Sequence, residues 1–314
     1  MLYITDICPM SNLSPDIIDT PAVMGIINVN NESFYSGSRC CDISSFSRQF
    51  NEMTAAGAGI IDIGACSTRP GSTPITEEQE WQLLEAPLRF LAECKGKRDG
   101  QFGIPGFSEG SEISANEVDS SGFVKISIDT FRSEIVRRAY DIIGNFIVND
   151  ISAGEDDQQM LPTVGELGLE YIAMHKRGTP DTMQRMCDYP HGVVQEVAEY
   201  FLAFEERAAA CGISSYIMDP GFGFAKTIGQ NYALFMGMPQ LKKIVRKKLL
   251  VGISRKSMIY KPLGITPDSS LTATAALNLQ ALMLGADILR VHDVAEALQC
   301  IKLHKLLLGK PSEF

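Results

Sequence analysis

Eight short runs of apolar and β-branched residues recur along the chain: AVMGIIN (22–28), GIIDIG (59–64), VKISID (124–129), NFIVND (145–150), EYIAMH (170–175), SYIMDP (215–220), LLVGIS (249–254) and DILRVH (287–292). Each is apolar nearly throughout instead of alternating, the pattern of parallel strands covered on both faces. Between them the apolar positions change to helical spacing. Phe46, Phe50 and Met53 form one stripe, and Trp81, Leu84, Leu88 and Leu91 form another behind a Thr76 to Gln79 capping box. Val193, Val197, Phe201, Phe204 and Ala208 mark a third helix, closed at Cys211-Gly212. Leu277, Ala281 and Leu284 lie on a fourth, and Leu298, Ile301, His304 and Lys305 on the last.

Strand and helix alternating to the end of the chain predict an α/β fold, a (β/α)8 TIM barrel, as a single domain over residues 1–314. A doubly wound sheet gives the same alternation with fewer strands, and the strand count and the lack of an early GxGxxG favour the barrel. Residues 95–123, KGKRDGQFGIPGFSEGSEISANEVDSSGF, break the repeat. Their Gly, Ser and acidic composition predicts a flexible insertion on the N-terminal side of the barrel.

The chain is 45% hydrophobic with a formal net charge of -10, which argues against a nucleic-acid surface and for small-molecule partners. LKKIVRKKLL (241–250) reads as a solvated helix end. The 8 cysteines are scattered without a CxxC pair, so neither a disulfide framework nor a zinc site is expected. No run reaches the roughly 18 to 20 apolar residues of a membrane helix. The residues before Arg39 include no lysine or arginine and no sustained apolar run, so a signal peptide is not expected and the cytoplasm is the expected location.

Catalytic groups of such barrels lie at the C-terminal ends of the strands. Found there are Asn28, Asp62, Asp129, Asn149, Met174 with His175, Asp219, the Ser254 to Ser257 segment, and Arg290 with His292. Any one of these could be a helix cap or a turn residue. As a ring, their carboxylates and amides suit a flat heterocycle with several N–H donors and carbonyl acceptors, and their cations suit an anion. CSTRPGSTPI (66–75) adds Thr68 and Arg69 beside Pro70 and Gly71, apt for bidentate phosphate binding. DPGFGFAKT (219–227) joins a strand-end carboxylate to glycines that permit close backbone approach.

In order, MGIINVNNESF, DIGACSTRPG, ISIDT, VNDIS, MHKRGTPDTMQ, DPGFGFAKT, GISRKS and RVHD span nearly the whole chain, and with them it resembles the dihydropteroate synthase family. That resemblance implies a transferase of folate biosynthesis and sulfonamide target. It would condense 6-hydroxymethyl-7,8-dihydropterin pyrophosphate with p-aminobenzoate, giving 7,8-dihydropteroate and pyrophosphate. Carried over by motif, Asp129, Asn149, Met174, Asp219, Lys256 and Arg290 are implied to bind the pterin. Asn28, Thr68, Arg69, Arg290 and His292 are implied for the diphosphate, with Mg²⁺ joined through Asn28. Phe34, Thr68, Pro70, Phe224 and Ser257 are implied to wall the p-aminobenzoate pocket. The implied catalytic set is Asp129, Asp219, Lys256, Arg69 and Glu32, and a homodimer through the later helices is implied as well. Two departures stand out: NVNNESF replaces the family's NVTPDSF, so Asn30, Asn31 and Glu32 stand for Thr, Pro and Asp, and Cys66 stands where Glu is common. The altered first loop gives the alternative of a catalytically impaired pterin-binding paralogue. A pterin-dependent methyltransferase should lack STRPG and SRKS together.

Overall fold

A computed structural model describes residues 20–29, 43–66, 74–95, 100–103, 123–179 and 182–309. Its strands are β1 (Ala22–Asn28), β2 (Ile60–Gly64), the two-residue β3 (Phe102–Gly103), β4 (Phe123–Asp129), β5 (Ile147–Asp150), β6 (Glu170–Met174), β7 (Ile217–Asp219), β8 (Lys248–Val251) and β9 (Ile288–Val291). All but β3 run parallel to their neighbours, with β1 paired to both β2 and β9 and β2 paired to β4, so the strands close into a ring. The described part of the chain is one TIM barrel, as the repeat predicts. The last five strands are shorter than their apolar runs, and after β6, β7, β8 and β9 the run carries on past the strand; His175, Ser254 and His292 therefore stand just beyond the strands they follow.

Around the ring lie α1 (Ile43–Ala56), α2 (Glu77–Glu93), α3 (Ser133–Ile143), α4 (Met160–Leu167), α5 (Val193–Ala210), α6 (Ile228–Met236), α7 (Met238–Val245), α8 (Ser257–Leu263), α9 (Leu271–Met283) and α10 (Val294–Leu307). The capping box at Thr76 and Gln79 forms, with Thr76 N donating to Gln79 Oε1 at 2.8 Å and Gln79 N to Thr76 Oγ1 at 3.2 Å. The stripes on α1, α2 and α5 pack inward, and Phe46, Phe50, Leu84, Leu88, Phe201 and Phe204 are fully buried. Each such side chain contributes about 1.5–3 kcal/mol of burial free energy. The α9 stripe differs from expectation: Thr274, Asn278, Ala281 and Leu282 are its buried residues, while Leu277 and Leu284 are half-buried. This helix also packs along α10, where Cys300 Sγ reaches Ala275 O at 3.3 Å, so its apolar residues spread around it.

Of the expected insertion 95–123, the structure describes 95, 100–103 and 123. Phe102 and Gly103 pair antiparallel with Val124 and Phe123 at the start of β4, and Phe102 is fully buried. That short piece belongs to the core, although it lies within the segment whose composition predicts a flexible insertion. One phenylalanine gives it enough apolar surface to seal the N-terminal end of β4.

The strand interiors form two tiers. Met24, Ile60, Ile147, Ile172, Leu250 and Ile288 make an apolar plug inside the ring. Two residues further along the strands, where side chains again point inward, the plug gives way to Asp62, Asn149, Met174 and Arg290. The site is built on that second tier.

Candidate active site above the barrel plug

Arg290 joins two carboxylates. Its Nε lies 2.7 Å and its Nη2 2.6 Å from Asp62 Oδ2, and Nη2 lies 2.9 Å from Asp129 Oδ2. Asn149 Nδ2 donates to Asp62 Oδ2 at 3.1 Å. Burial alone would lower the arginine's pKa, but Asp62 and Asp129 outweigh it and hold the guanidinium charged. Burial pushes Asp129 up to about 7, with Arg290 pulling down and Asp62 pushing up. Such a carboxyl accepts a donor edge as an anion and releases its proton near neutrality.

Asp219 ends β7 and accepts from Gly221 N at 2.8 Å. Burial raises its pKa, opposed by Lys256, by Gly221 N and by Arg290. Lys256 follows β8; its Nζ donates to Phe222 O at 2.5 Å and stands 5.0 Å from the Phe224 ring centroid. Burial brings that ammonium down to about 8, while Asp219 resists the fall. Gly221 has φ +69°, and a Cβ there would lie 1.9 Å from His175 O, so the DPGFGF turn admits no side chain at this position. Ser257 opens α8 directly after Lys256, and Met174 lies buried at the end of β6, in register with Asp219.

In the same segment after β8, Ser254 Oγ lies 3.0 Å from His292 Nδ1 beyond the neighbouring β9. Arg255 Nη2 donates to Asp293 Oδ1 at 2.7 Å, tying the SRKS segment to the RVHD segment. Asn28, half-buried, ends β1 in register with Gly64, which in turn is in register with Asp129. Its amide oxygen is a hard donor of the kind that suits Mg²⁺. Among the described residues, no group of three or more His, Cys, Asp or Glu side chains is placed to hold a metal. One such oxygen, from Asn28, is what the protein would supply to a Mg²⁺ ion that keeps most of its coordination on phosphates and water.

The second strand leads into a separate bracket. Arg132 Nη1 pairs with Glu80, which is fully buried, and lies 3.3 Å from Cys66 Sγ; its Nη2 donates to Ile75 O at 2.6 Å. Burial and the Glu80 charge push the Cys66 thiol up to about 12.

The profile of the pterin binding enzyme family matches residues 24–97 and 114–292. Dihydropteroate synthase of Escherichia coli is 34% identical over 291 residues, covering 92% of each chain. The chain belongs to the dihydropteroate synthase family. Solved members share its fold: Yersinia pestis dihydropteroate synthase in a sulfonamide drug complex matches with TM-score 0.76 and 29% identity over 92% of this chain and 94% of that one. The Xanthomonas albilineans enzyme with 4-aminobenzoic acid matches with TM-score 0.77 and 27% identity over 93% and 95%.

Among the residues expected from dihydropteroate synthase motifs, the structure gathers Asp129, Asn149, Met174, Asp219, Lys256 and Arg290 at the C-terminal ends of the strands. Phe224 stands by Lys256, and His292 by Ser254. Glu32, Phe34, Thr68, Arg69 and Pro70 lie outside the described residues. Two groups went without a role in the motif reading. Asp62, read as a strand-end carboxylate or helix cap, proves to be the hub for Arg290 and Asn149; its place two residues beyond the inward Ile60 was the available signal. Lys226 is buried, and nothing in its local sequence separates it from a solvated lysine. In IVNDISAG the adjacent polar residues divide their tasks: Asn149 faces the barrel interior, while Asp150 accepts from Ser152 N and Oγ at 2.7 Å, Gly154 N at 2.8 Å and Tyr171 Oη at 2.6 Å.

Proposed function

We propose that the chain condenses 6-hydroxymethyl-7,8-dihydropterin pyrophosphate with p-aminobenzoate to form 7,8-dihydropteroate and pyrophosphate. The observation that carries this reading is the Asp62–Arg290–Asp129 array, with Asn149, Asp219 and Lys256 around the same opening. Asp129, Asn149 and Asp219 match the N–H and carbonyl edges of a pterin, Met174 supplies an apolar contact, and Lys256 donates from the loop side. His292, Asn28 and the Arg290 side of the ring take the diphosphate, joined from the second loop by Thr68 and Arg69. Phe224 and Ser257 border the arylamine, with Phe34, Thr68 and Pro70 as the loop-borne part of that wall, and Glu32 is the first loop's carboxylate.

Reaction breaks the C–O bond between the pterin methylene and the diphosphate, and both electrons leave on the diphosphate oxygen. The positive charge left on the pterin is stabilised by ionised Asp129 and Asp219. The arylamine nitrogen then forms the C–N bond, and the proton it loses passes to solvent or to the released diphosphate. Mg²⁺, held through Asn28 and the phosphates, would neutralise charge on the departing group. A homodimer is part of the same reading, supported by exposed Leu263, Met283, Leu303 and Leu307 on α8, α9 and α10. So is a cytoplasmic location; no helix of the described residues is long and apolar enough to cross a membrane.

The deciding experiment supplies pterin pyrophosphate and Mg²⁺ with and without p-aminobenzoate and follows both dihydropteroate and pyrophosphate. Dihydropteroate that depends on p-aminobenzoate establishes the reaction. Tight pterin binding with no product overturns it and leaves a binding protein whose first loop, NVNNESF, has lost turnover.

A further inference from the structure

Among the described residues, two buried lysines have no task in the chemistry above: Lys176 is paired with Asp156, and Lys226 sits in the loop after β7. Lys226 is 3% exposed, and its ammonium lies 3.0 Å from Gly221 O, 3.1 Å from Phe224 O and 3.0 Å from His175 Nδ1. An ammonium has three N–H bonds to give, and three acceptors meet it. The carbonyls around these are held by other side chains. Phe222 O accepts from Lys256 Nζ at 2.5 Å, Ala225 O from Tyr189 Oη at 3.1 Å, and Lys226 O and Thr227 O from Asn231 Nδ2 at 3.1 and 2.8 Å. Asn231 Oδ1 also accepts from Gly223 N at 2.7 Å.

This backbone needs holding. Gly221, Gly223 and Ala225 have φ of +69°, +85° and +48°, so alternate residues sit in the left-handed region. For Ala225 that conformation costs about 1–2 kcal/mol. The loop's own bond from Phe224 N to Gly221 O, 3.1 Å, closes one turn only. Simple charge compensation of Asp219 does not explain Lys226, because Lys256, Gly221 N and Arg290 each do more than Lys226 to favour the ionised carboxylate.

We infer that Lys226 is a positioning residue for arylamine binding: by tying Gly221 O and Phe224 O together, with His175 as its third acceptor, it keeps Phe222 O under Lys256 and the Phe224 ring against the acceptor pocket. The assignment of that pocket to an arylamine rests on the proposed function. Lys226 touches neither substrate; it acts through the loop. A displacement of about 1 Å in such a wall costs on the order of 100-fold in rate.

The test compares wild type with Lys226→Met, His175→Leu and His175→Asn. The asparagine variant matters because its amide oxygen can stand near the place of Nδ1 and still accept. In steady-state kinetics, Lys226→Met is expected to raise KM for p-aminobenzoate about tenfold or more and to lower kcat. Pterin pyrophosphate affinity by calorimetry should change less than about threefold, since Asp219 keeps its nearer partners. His175→Leu should move the same way, and His175→Asn should recover most of the loss. Hydrogen exchange of the 219–230 peptide is read in parallel and does not depend on turnover: protection should fall in Lys226→Met and His175→Leu and return in His175→Asn. Unchanged protection overturns the inference, whether or not the wild-type protein turns over. So does a loss of equal size for both substrates with a lower melting temperature, the mark of a purely structural lysine. Wild-type protein that forms no dihydropteroate while the exchange pattern holds overturns the functional reading and leaves the loop clamp standing.

Discussion

Arg290 and Asp62, 228 positions apart in the chain, meet inside the barrel with the arginine Nε and Nη2 at 2.7 and 2.6 Å from the same carboxylate oxygen. That oxygen also takes Asn149, while Asp62 Oδ1 is buried with no hydrogen-bond partner among the described residues. Arg290 is thus divided unevenly: Asp62 receives two contacts and Asp129 one, through Nη2 at 2.9 Å. The ionisation of Asp129 therefore depends on how Asp62 competes for the arginine.

The rising limb of kcat/KM for pterin pyrophosphate should report Asp129 near pH 7. Asp62→Asn removes a like charge and leaves Arg290 to Asp129, so the limb should move to lower pH. Arg290→Met removes the opposite charge, so whatever activity survives should show the limb at higher pH. Measured pH profiles that shift in one common direction would contradict the division.

Stability should carry the same signature. Asp129 has its folded pKa raised from 3.8 to about 7, so its contribution is fully present below the unfolded value and is lost as pH rises through the folded one. The melting temperature of ligand-free Asp129→Asn should accordingly depend less on pH than that of wild type between about pH 4 and 7. A wild-type slope left intact in the variant would place the titration elsewhere.

Asp219→Asn should weaken pterin binding by about 10- to 100-fold, the worth of a charge-assisted hydrogen bond from a buried carboxylate. Calorimetry with the pterin pyrophosphate measures it directly. An unchanged affinity would remove Asp219 from the pterin edge.

Ser254→Ala should separate the diphosphate from the pterin. Losing the 3.0 Å contact to His292 Nδ1 removes one restraint on that ring, and the affinity for pterin pyrophosphate should drop about fivefold, equivalent to a single neutral hydrogen bond. The same variant should bind 6-hydroxymethylpterin without its phosphates as wild type does; equal losses for both ligands would show that Ser254 serves the pterin instead.

Arg132→Met strands the fully buried Glu80 charge and should cost about 3–5 kcal/mol. In thermal melts this corresponds to roughly 5–10 °C. Arg132→Met combined with Glu80→Gln should recover a good part of it, because no unpaired charge then remains. A double variant no better than the single one would locate the loss in the Ile75 O contact.

The barrel was legible in the sequence because each strand carries its own signal: a short apolar run is enough when both faces are covered, and all eight runs became parallel strands. The ring of site residues was legible because its members fall at the ends of those runs. What local pattern could not reveal were relations across the barrel. The tie from Arg290 to Asp62 closes only when β9 meets β1 and β1 meets β2, and the burial of Lys226 depends on His175 from the preceding strand. The same limit affected α9, where contact with a second helix spread the apolar face. Phe102 reads as part of a polar insertion until β4 supplies the edge that covers it.

The apolar plug of Met24, Ile60, Ile147, Ile172, Leu250 and Ile288 makes the barrel a vessel with one mouth. Whatever rests on the second tier entered past the loops and must leave past them, because packed apolar side chains close the floor. On the proposed assignment, occupancy would follow the order of a stack: a pterin seated against Asn149 would go in first, an arylamine beside Phe224 would follow, and the joined product would leave with its pterin end last.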